Sequence, residues 1–395
     1  MNLTATCFLG LVTGSLLWIT HAHAQEAEPG KEGKVEAQYS REIDQLARDK
    51  QIQKAFQHIV AQQKQNREEL IMLTEIPAPP FMEQKRGIRF ASMLKEAGAD
   101  SVWTDKVGNV IALRKGRKGK GCVALDGHLD TVFPAETDVK VKMKGDTLFA
   151  PGIGDDTRGL VAVVAVLRAL EDAKIETQSD VLFIGSVGEE GLGDLRGVKH
   201  LFSDQSCRID SWISIEAGAM GRVSNMGLGS NRYKITFKGP GGHSWGAFGL
   251  ANPQHALGSA IHYFSKAADK FTRSGARTSF NVGRIGGGTS VNSIPFASWM
   301  EVDMRSEIPE NLVLIDSLLK ASVQKALEEN NQMRRSGPAL TVEFERIGER
   351  PSGELAETLP LVQRSMASVA YFGASQKPVG GLRTQISPFQ KESRR

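Results

Sequence analysis

Four short segments carry side chains able to do chemistry together. Gly127-His128-Leu129-Asp130-Thr131-Val132 follows an apolar run that ends at Leu125. Gly152-Ile153-Gly154-Asp155-Asp156-Thr157-Arg158-Gly159 leads into a second apolar stretch, Gly188-Glu189-Glu190-Gly191 follows a third that starts at Val181, and Glu216 follows a fourth. A neutral imidazole is a good zinc ligand, and a nearby carboxylate fixes its tautomer through a hydrogen bond. Adjacent acids repel unless a cation neutralises them, and one carboxylate, having two oxygens, can serve two cations. Each segment alone has a plain account as a loop histidine, a helix-capping Asp or a solvated acidic turn. Recurring after successive apolar runs, they point to a dinuclear site for hard or borderline divalent metals.

The elements that must position these groups alternate between short strands and longer helices. Strands are expected at Val110 to Leu113, Cys122 to Leu125, Val181 to Ile184 and Trp212 to Ile215, with a helix from about Asp156 to Leu170. That order predicts an α/β fold, a mostly parallel sheet with helices on both faces, which gathers the strand ends on one edge. Upstream, apolar residues at helical spacing predict a helix from Arg41 to Leu73, stopped by Pro77, Pro79 and Pro80, and a second from Glu83 to Ala97. After Gly229 the pattern changes to strand Tyr233 to Phe237, helix Pro253 to Ala268, strands Ser279 to Ile285 and Ala297 to Met304, helix Asn311 to Glu329 and strand Leu340 to Phe344. This βαββαβ order predicts an inserted ferredoxin-like unit. The chain thus divides into a leader (1–24), a linker (25–40), a first catalytic part (41–229), the insert (230–346) and a second catalytic part (347–395).

With these motifs in this order, the sequence resembles the dizinc exopeptidases and deacylases that include glutamate carboxypeptidase, peptidase T, acetylornithine deacetylase, succinyl-diaminopimelate desuccinylase and aminoacylase. The resemblance covers about Glu69 to Gly381. It implies that His128 and Glu216 bind one zinc, that Asp155 bridges both ions, and that Glu190 binds the other. Asp130 would support the ligands, and Glu189 would be the general base toward a metal-bridging water. It also implies a cis peptide at Asp155-Asp156, and a lid and dimerisation role for the insert. His243, in Gly241-Gly242-His243-Ser244, would stabilise the oxyanion in the partner subunit's site. Asn292 and Arg305 would grip a substrate carboxylate, with Arg350 a further candidate for the same task. Read from their own surroundings, Asn292 is a turn residue and Arg305 and Arg350 are surface cations. Cobalt or manganese would suit the same ligands as zinc. Glu rather than Asp at position 216 leans toward a carboxypeptidase or deacylase.

Composition agrees with a packed enzyme acting on small molecules. Hydrophobic residues make up 40% and charged residues 24%, which excludes a disordered or multi-span membrane chain, and a net charge of +4 is too small and dispersed for nucleic-acid binding. The apolar run Cys7 to Thr20 is shorter than the roughly 20 residues that cross a bilayer, and Ala22-His23-Ala24 supplies small residues before a cut ahead of Gln25. A secreted or periplasmic enzyme, free of the membrane after cleavage, is the expectation, with a small peptide or N-acyl amino acid as substrate. The resemblance further implies a last histidine ligand beyond a G-G-x-x-D segment. Here Gly380-Gly381 continues as Leu382-Arg383-Thr384-Gln385, and no histidine follows His262. A frameshift or early stop is one expectation, a divergent ending another. Either weakens the ion held by Glu190, and a catalytically impaired binding or dimerisation protein is the alternative function.

Overall fold

The computed structural model describes residues 33–373 apart from 120, 205–207, 219 and 220. The leader and the segment around Leu382 lie outside the described residues.

Three helices, α1 (Ala37–Ala47), α2 (Lys50–Ala61) and α3 (Gln63–Thr74), stand where one was expected. The break has a local cause: Asp49 accepts from the backbone N–H of Gln51 and Ile52 at 2.8 and 3.2 Å and so starts a new helix. Helix α1 also begins inside the expected linker, packed on the last of the described helices.

After α4 (Gln84–Glu96) come β1 (Ser101–Thr104), β2 (Val110–Arg114) and β3 (Cys122–His128), then a hairpin of β4 (Lys142–Lys144) and β5 (Thr147–Phe149). Next are α5 (Arg158–Asp172), β6 (Asp180–Ser186), α6 (Arg196–Ser203) and β7 (Ser211–Ser214). The sheet order is β1-β2-β6-β3-β7; β6, β3 and β7 are parallel, β2 is antiparallel to β6, and β1 is antiparallel to β2. Only β2 therefore opposes the common direction. Side-chain alternation divides the sheet between two cores. Val110, Ala112 and Phe183 pack with α4 and α5, while Ile111, Ala124, Leu182, Ile184 and Trp212 pack with Val198 of α6.

Register sets where the chemistry falls. His128 pairs with Ser186, and Asp126 pairs with both Ile184 and Ser214. The three strands end nearly level, so the segments after them leave one edge side by side.

The insert follows β8 (Met226–Gly227). It comprises β9 (Gly229–Lys238), β10 (Gly242–His243), α7 (Pro253–Thr272), β11 (Thr278–Gly287), β12 (Ser293–Ile294), β13 (Ala297–Ser306), α8 (Pro309–Met333) and β14 (Thr341–Arg350). Its antiparallel order β11-β13-β9-β14 is that of the ferredoxin-like fold. Along β13 every second residue, including Met300, Val302 and Met304, is buried, and α7 and α8 close over that face around Phe237 and Phe264. Strand β14 runs to Arg350, beyond the boundary expected at 346, and β15 (Gly353–Glu354) returns to pair with β8 before α9 (Pro360–Tyr371). None of the described helices is long and apolar enough to cross a membrane.

Candidate metal centre

His128 is the last residue of β3 and is 2% exposed. Its Nδ1 lies 2.9 Å from the backbone oxygen of Asp130, so that nitrogen carries a proton and donates it to the carbonyl. Nε2 then faces Asp155 Oδ1 at 2.9 Å and Glu216 Oε2 at 4.0 Å. A neutral ring turns a lone pair toward two carboxylates there, and only a proton or a cation between them relieves the repulsion. The ligand atoms of His128, Asp155 and Glu216 lie within 4.8 Å of one another, as do those of His128, Glu189 and Glu190. One nitrogen and several oxygens suit zinc, cobalt or manganese, so the residues present fit a divalent cation. The two groups have His128 in common.

Electrostatics point the same way. Burial pushes the carboxyls of Glu216 and Asp156 well above the ordinary carboxylate range, although His128 nearby pulls each down. Burial opposes the charge on His128, but its hydrogen bonds to Asp130 and Asp155 and the charges of Asp156 and Glu216 outweigh that, raising it well above its ordinary value. Within the cluster Asp155 is the open side: its side chain is 41% exposed, against 8% for Glu216.

Groups behind the cluster hold it. Asp130 is fully buried and accepts from the backbone N–H of Glu189 at 3.0 Å and of Glu190 at 2.7 Å, so it fixes the acidic turn as well as supporting His128. The peptide between Asp155 and Asp156 is cis, as the resemblance implied. Sequence reasoning gave Asp156 no task. Its Oδ2 accepts from the backbone N–H of His128 at 3.0 Å, and Gly159 admits it, since a Cβ there would sit 2.2 Å from Asp156 Oδ1. Two further residues were missed. Asp126 lies beneath the cluster, accepting from Ser186 and Ser214 at 3.1 and 3.3 Å, and burial pushes its carboxyl up to about 7. Arg86 is buried in α4 and donates to Leu129 O at 2.9 Å and Ile76 O at 2.6 Å, tying the proline-rich loop to the His128 segment. The signal for Arg86 and Asp126 was only a charge within an apolar pattern, which names no partner.

The remaining predicted residues fall into two places. Arg350, expected at the surface, is buried; its Nη1 donates to Glu189 Oε1 at 3.0 Å and its Nη2 to the backbone oxygen of Glu189. Arg305 donates to Asp303 Oδ2 at 2.8 Å, and Asp303 in turn accepts from Arg232, which reaches Gly191 O. It therefore belongs to the seam between the insert and the acidic turn. His243 and Asn292 lie together elsewhere, exposed on the loops of the β10-β12 pair: Ser244 N donates to Asn292 O at 2.9 Å, and His243 Nδ1 accepts from Trp245 N and Gly246 N at 3.3 Å. No described hydrogen bond or ion pair links either to the carboxylates.

Fold and site together define a class, metal-dependent hydrolases with candidate ligands at the strand ends of a central α/β sheet and an inserted ferredoxin-like unit. The model of Peptidase family M20/M25/M40 matches residues 124–380, and the chain belongs to this family. It is a metal-dependent hydrolase of peptide or amide bonds. Among solved structures, a tripeptidase from Staphylococcus aureus is 21% identical with a TM-score of 0.62, covering 80% of this chain and 83% of that one. The dipeptidase Dug1p from Saccharomyces cerevisiae is 14% identical with a TM-score of 0.63, covering 83% and 86%. An amidase of the hydantoinase/carbamoylase family from Burkholderia vietnamiensis is 17% identical with a TM-score of 0.59, covering 79% and 82%. At these identities the likeness speaks for the fold. No curated protein matches the chain.

Proposed function

We propose that this chain is an exported dizinc exopeptidase or deacylase that cleaves a peptide or N-acyl amide bond next to a free carboxylate. The observation that carries the reading is the position of His128, shared by two groups of carboxylates at one sheet edge. His128, Asp155 and Glu216 would hold one ion, and Glu190, with Glu189 close by, the other. Bound there, divalent cations lower the pKa of a water molecule toward neutrality and polarise the scissile carbonyl. Glu189 then acts as the base: its Oε2 is buried with no hydrogen-bond partner among the described residues and accepts the proton of the attacking water. The same oxygen returns the proton to the leaving nitrogen as the C–N bond breaks. Asp130 keeps the acidic turn in place throughout through its two backbone hydrogen bonds.

His243 would come from a second copy of the chain, in a dimer formed through the insert, and stabilise the oxyanion. Its exposure and purely local hydrogen bonds leave it free for that. Asn292 beside it and Arg305 at the seam would bind the substrate carboxylate, for which a planar guanidinium is suited. Export rests on the leader-like segment before Gln25.

Purified protein should contain tightly held zinc and hydrolyse dipeptides or N-acyl amino acids until a chelator is added. Glu189→Gln should abolish hydrolysis with the metal retained. Wild-type rates in that variant would remove Glu189 as the base, and one ion or none without amidase activity would favour a binding or dimerisation role.

A further inference from the structure

We propose that Arg350 is a positioning residue that sets the carboxylate of Glu189, and that through it the insert holds the catalytic turn; this rests on the reading of Glu189 as the base. A glutamate side chain has three rotatable bonds, and a general base works only within hydrogen-bond reach of its proton. One guanidinium removes that freedom here. Nη1 donates to Oε1 at 3.0 Å, Nη2 donates to the backbone oxygen of the same residue, and both side chains are less than 10% exposed. Oε1 is thereby occupied, and Oε2 is left as the oxygen without a hydrogen-bond partner. The planar fork of arginine suits such a two-point grip, which the single ammonium of lysine cannot reproduce.

The fork is itself anchored. Arg350 is the last residue of β14, and the N–H of its neighbour Glu349 donates to both carboxylate oxygens of Asp194 at 3.0 Å. Asp194 closes the turn that Glu189 opens, in the left-handed region at φ 52°, and lies 4.0 Å from Arg350 Nε. On the next strand of the insert, Arg232 of β9 reaches Gly191 O in the same turn. A shift of the insert's sheet thus reaches Glu189 through the guanidinium of Arg350, while Glu349 and Arg232 tie the same turn to β14 and β9.

The grip differs from a substrate-carboxylate role in what it does to kinetics. Arg350→Gln and Arg350→Lys, in the full metal-loaded chain, should be compared on a dipeptide and on the same dipeptide amidated at its C-terminus. Positioning predicts that Arg350→Gln lowers kcat by about a hundredfold on both substrates with little change in KM, and that Arg350→Lys recovers about tenfold of it. A loss confined to KM for the free acid, absent for the amide, would overturn the proposal. Hydrogen exchange supplies a second reading that does not need activity. In Arg350→Gln the 188–194 turn should exchange faster while α5 is unchanged, and unaltered exchange of that turn would also overturn it. Should Arg350→Gln not fold, Arg350→Lys decides on the same criteria. If the wild-type chain hydrolyses neither substrate, the functional reading fails and exchange alone judges the grip.

Discussion

Two regions carry the residues singled out for chemistry, and they are built on opposite principles. At the edge of the central sheet, His128, Glu189 and Glu190 are buried and held by hydrogen bonds to Asp130, Asp156 and Arg350, and the Glu216 side chain beside them is 8% exposed. On the β10-β12 loops, His243 and Asn292 are exposed among Trp245 and Val291, which are 87% and 103% exposed, with described bonds only within this pair of loops. The first region assembles like charges in a dry setting, at an energetic cost that a bound cation offsets. The second leaves Trp245 and Val291 uncovered among the described residues. A preorganised half and an unfilled half are what a site completed by a second molecule would require.

Breaking the first region should have the largest effect. Asp155→Asn keeps the shape of a half-exposed side chain but removes the charge that faces His128; losing several kcal/mol of charge stabilisation corresponds to about a thousandfold in rate. Thermal stability should hardly move, and a matching fall in melting temperature would mean the substitution acts through folding.

The next test concerns the ground beneath the cluster. Because burial raises Asp126 from 3.8 to about 7, its neutral form stabilises metal-free protein fully below the unfolded value and loses that contribution as pH rises through about 7. Over that window the unfolded chain binds fewer protons than the native one, so stability falls with rising pH. The full effect is about 4 kcal/mol at most. Urea melts of metal-free wild type and Asp126→Asn between those limits should show a shallower slope in the variant, the remainder coming from Glu216, Asp156 and His128; equal slopes would place the titrating group elsewhere.

The lid region is sharpened by mixing. His243→Ala should lower kcat by about 10²- to 10³-fold, the range for a lost oxyanion donor, with metal content unchanged. Combined with Glu189→Gln protein, itself inactive, it should regain activity, since a mixed dimer can pair an intact Glu189 with an intact His243 from the other copy. Absence of recovery would confine His243 to its own chain. Asn292→Ala should have the smallest effect, about tenfold in kcat/KM on free-acid substrates, and an equal loss on amidated ones would detach it from carboxylate binding.

How much of this was legible in the sequence follows the range of the interactions. The strands ending near His128 and Ser186, the helix after Asp156 and the βαββαβ insert were readable because hydrophobic period and turn residues are local signals. Three of the candidate ligand segments were readable because each follows a strand of the sheet, and the fourth because it opens α5. The helix break at Asp49 was also local, a capping residue hidden inside a continuous apolar period. What Asp156, Arg86 and Arg350 touch was not readable. Each owes its place to a partner brought near by the fold, as Arg350 meets Glu189 across 161 positions, and a buried arginine looks in sequence like an exposed one.

The most direct test is calorimetric titration of zinc into metal-free wild type and His128→Ala. If His128, Asp155 and Glu216 hold one ion and Glu190 the other, the wild type takes up a pair of ions with release of protons, and His128→Ala loses tight binding of the ion that His128 shares with Asp155 and Glu216. Uptake by the variant at wild-type stoichiometry and affinity would contradict the account.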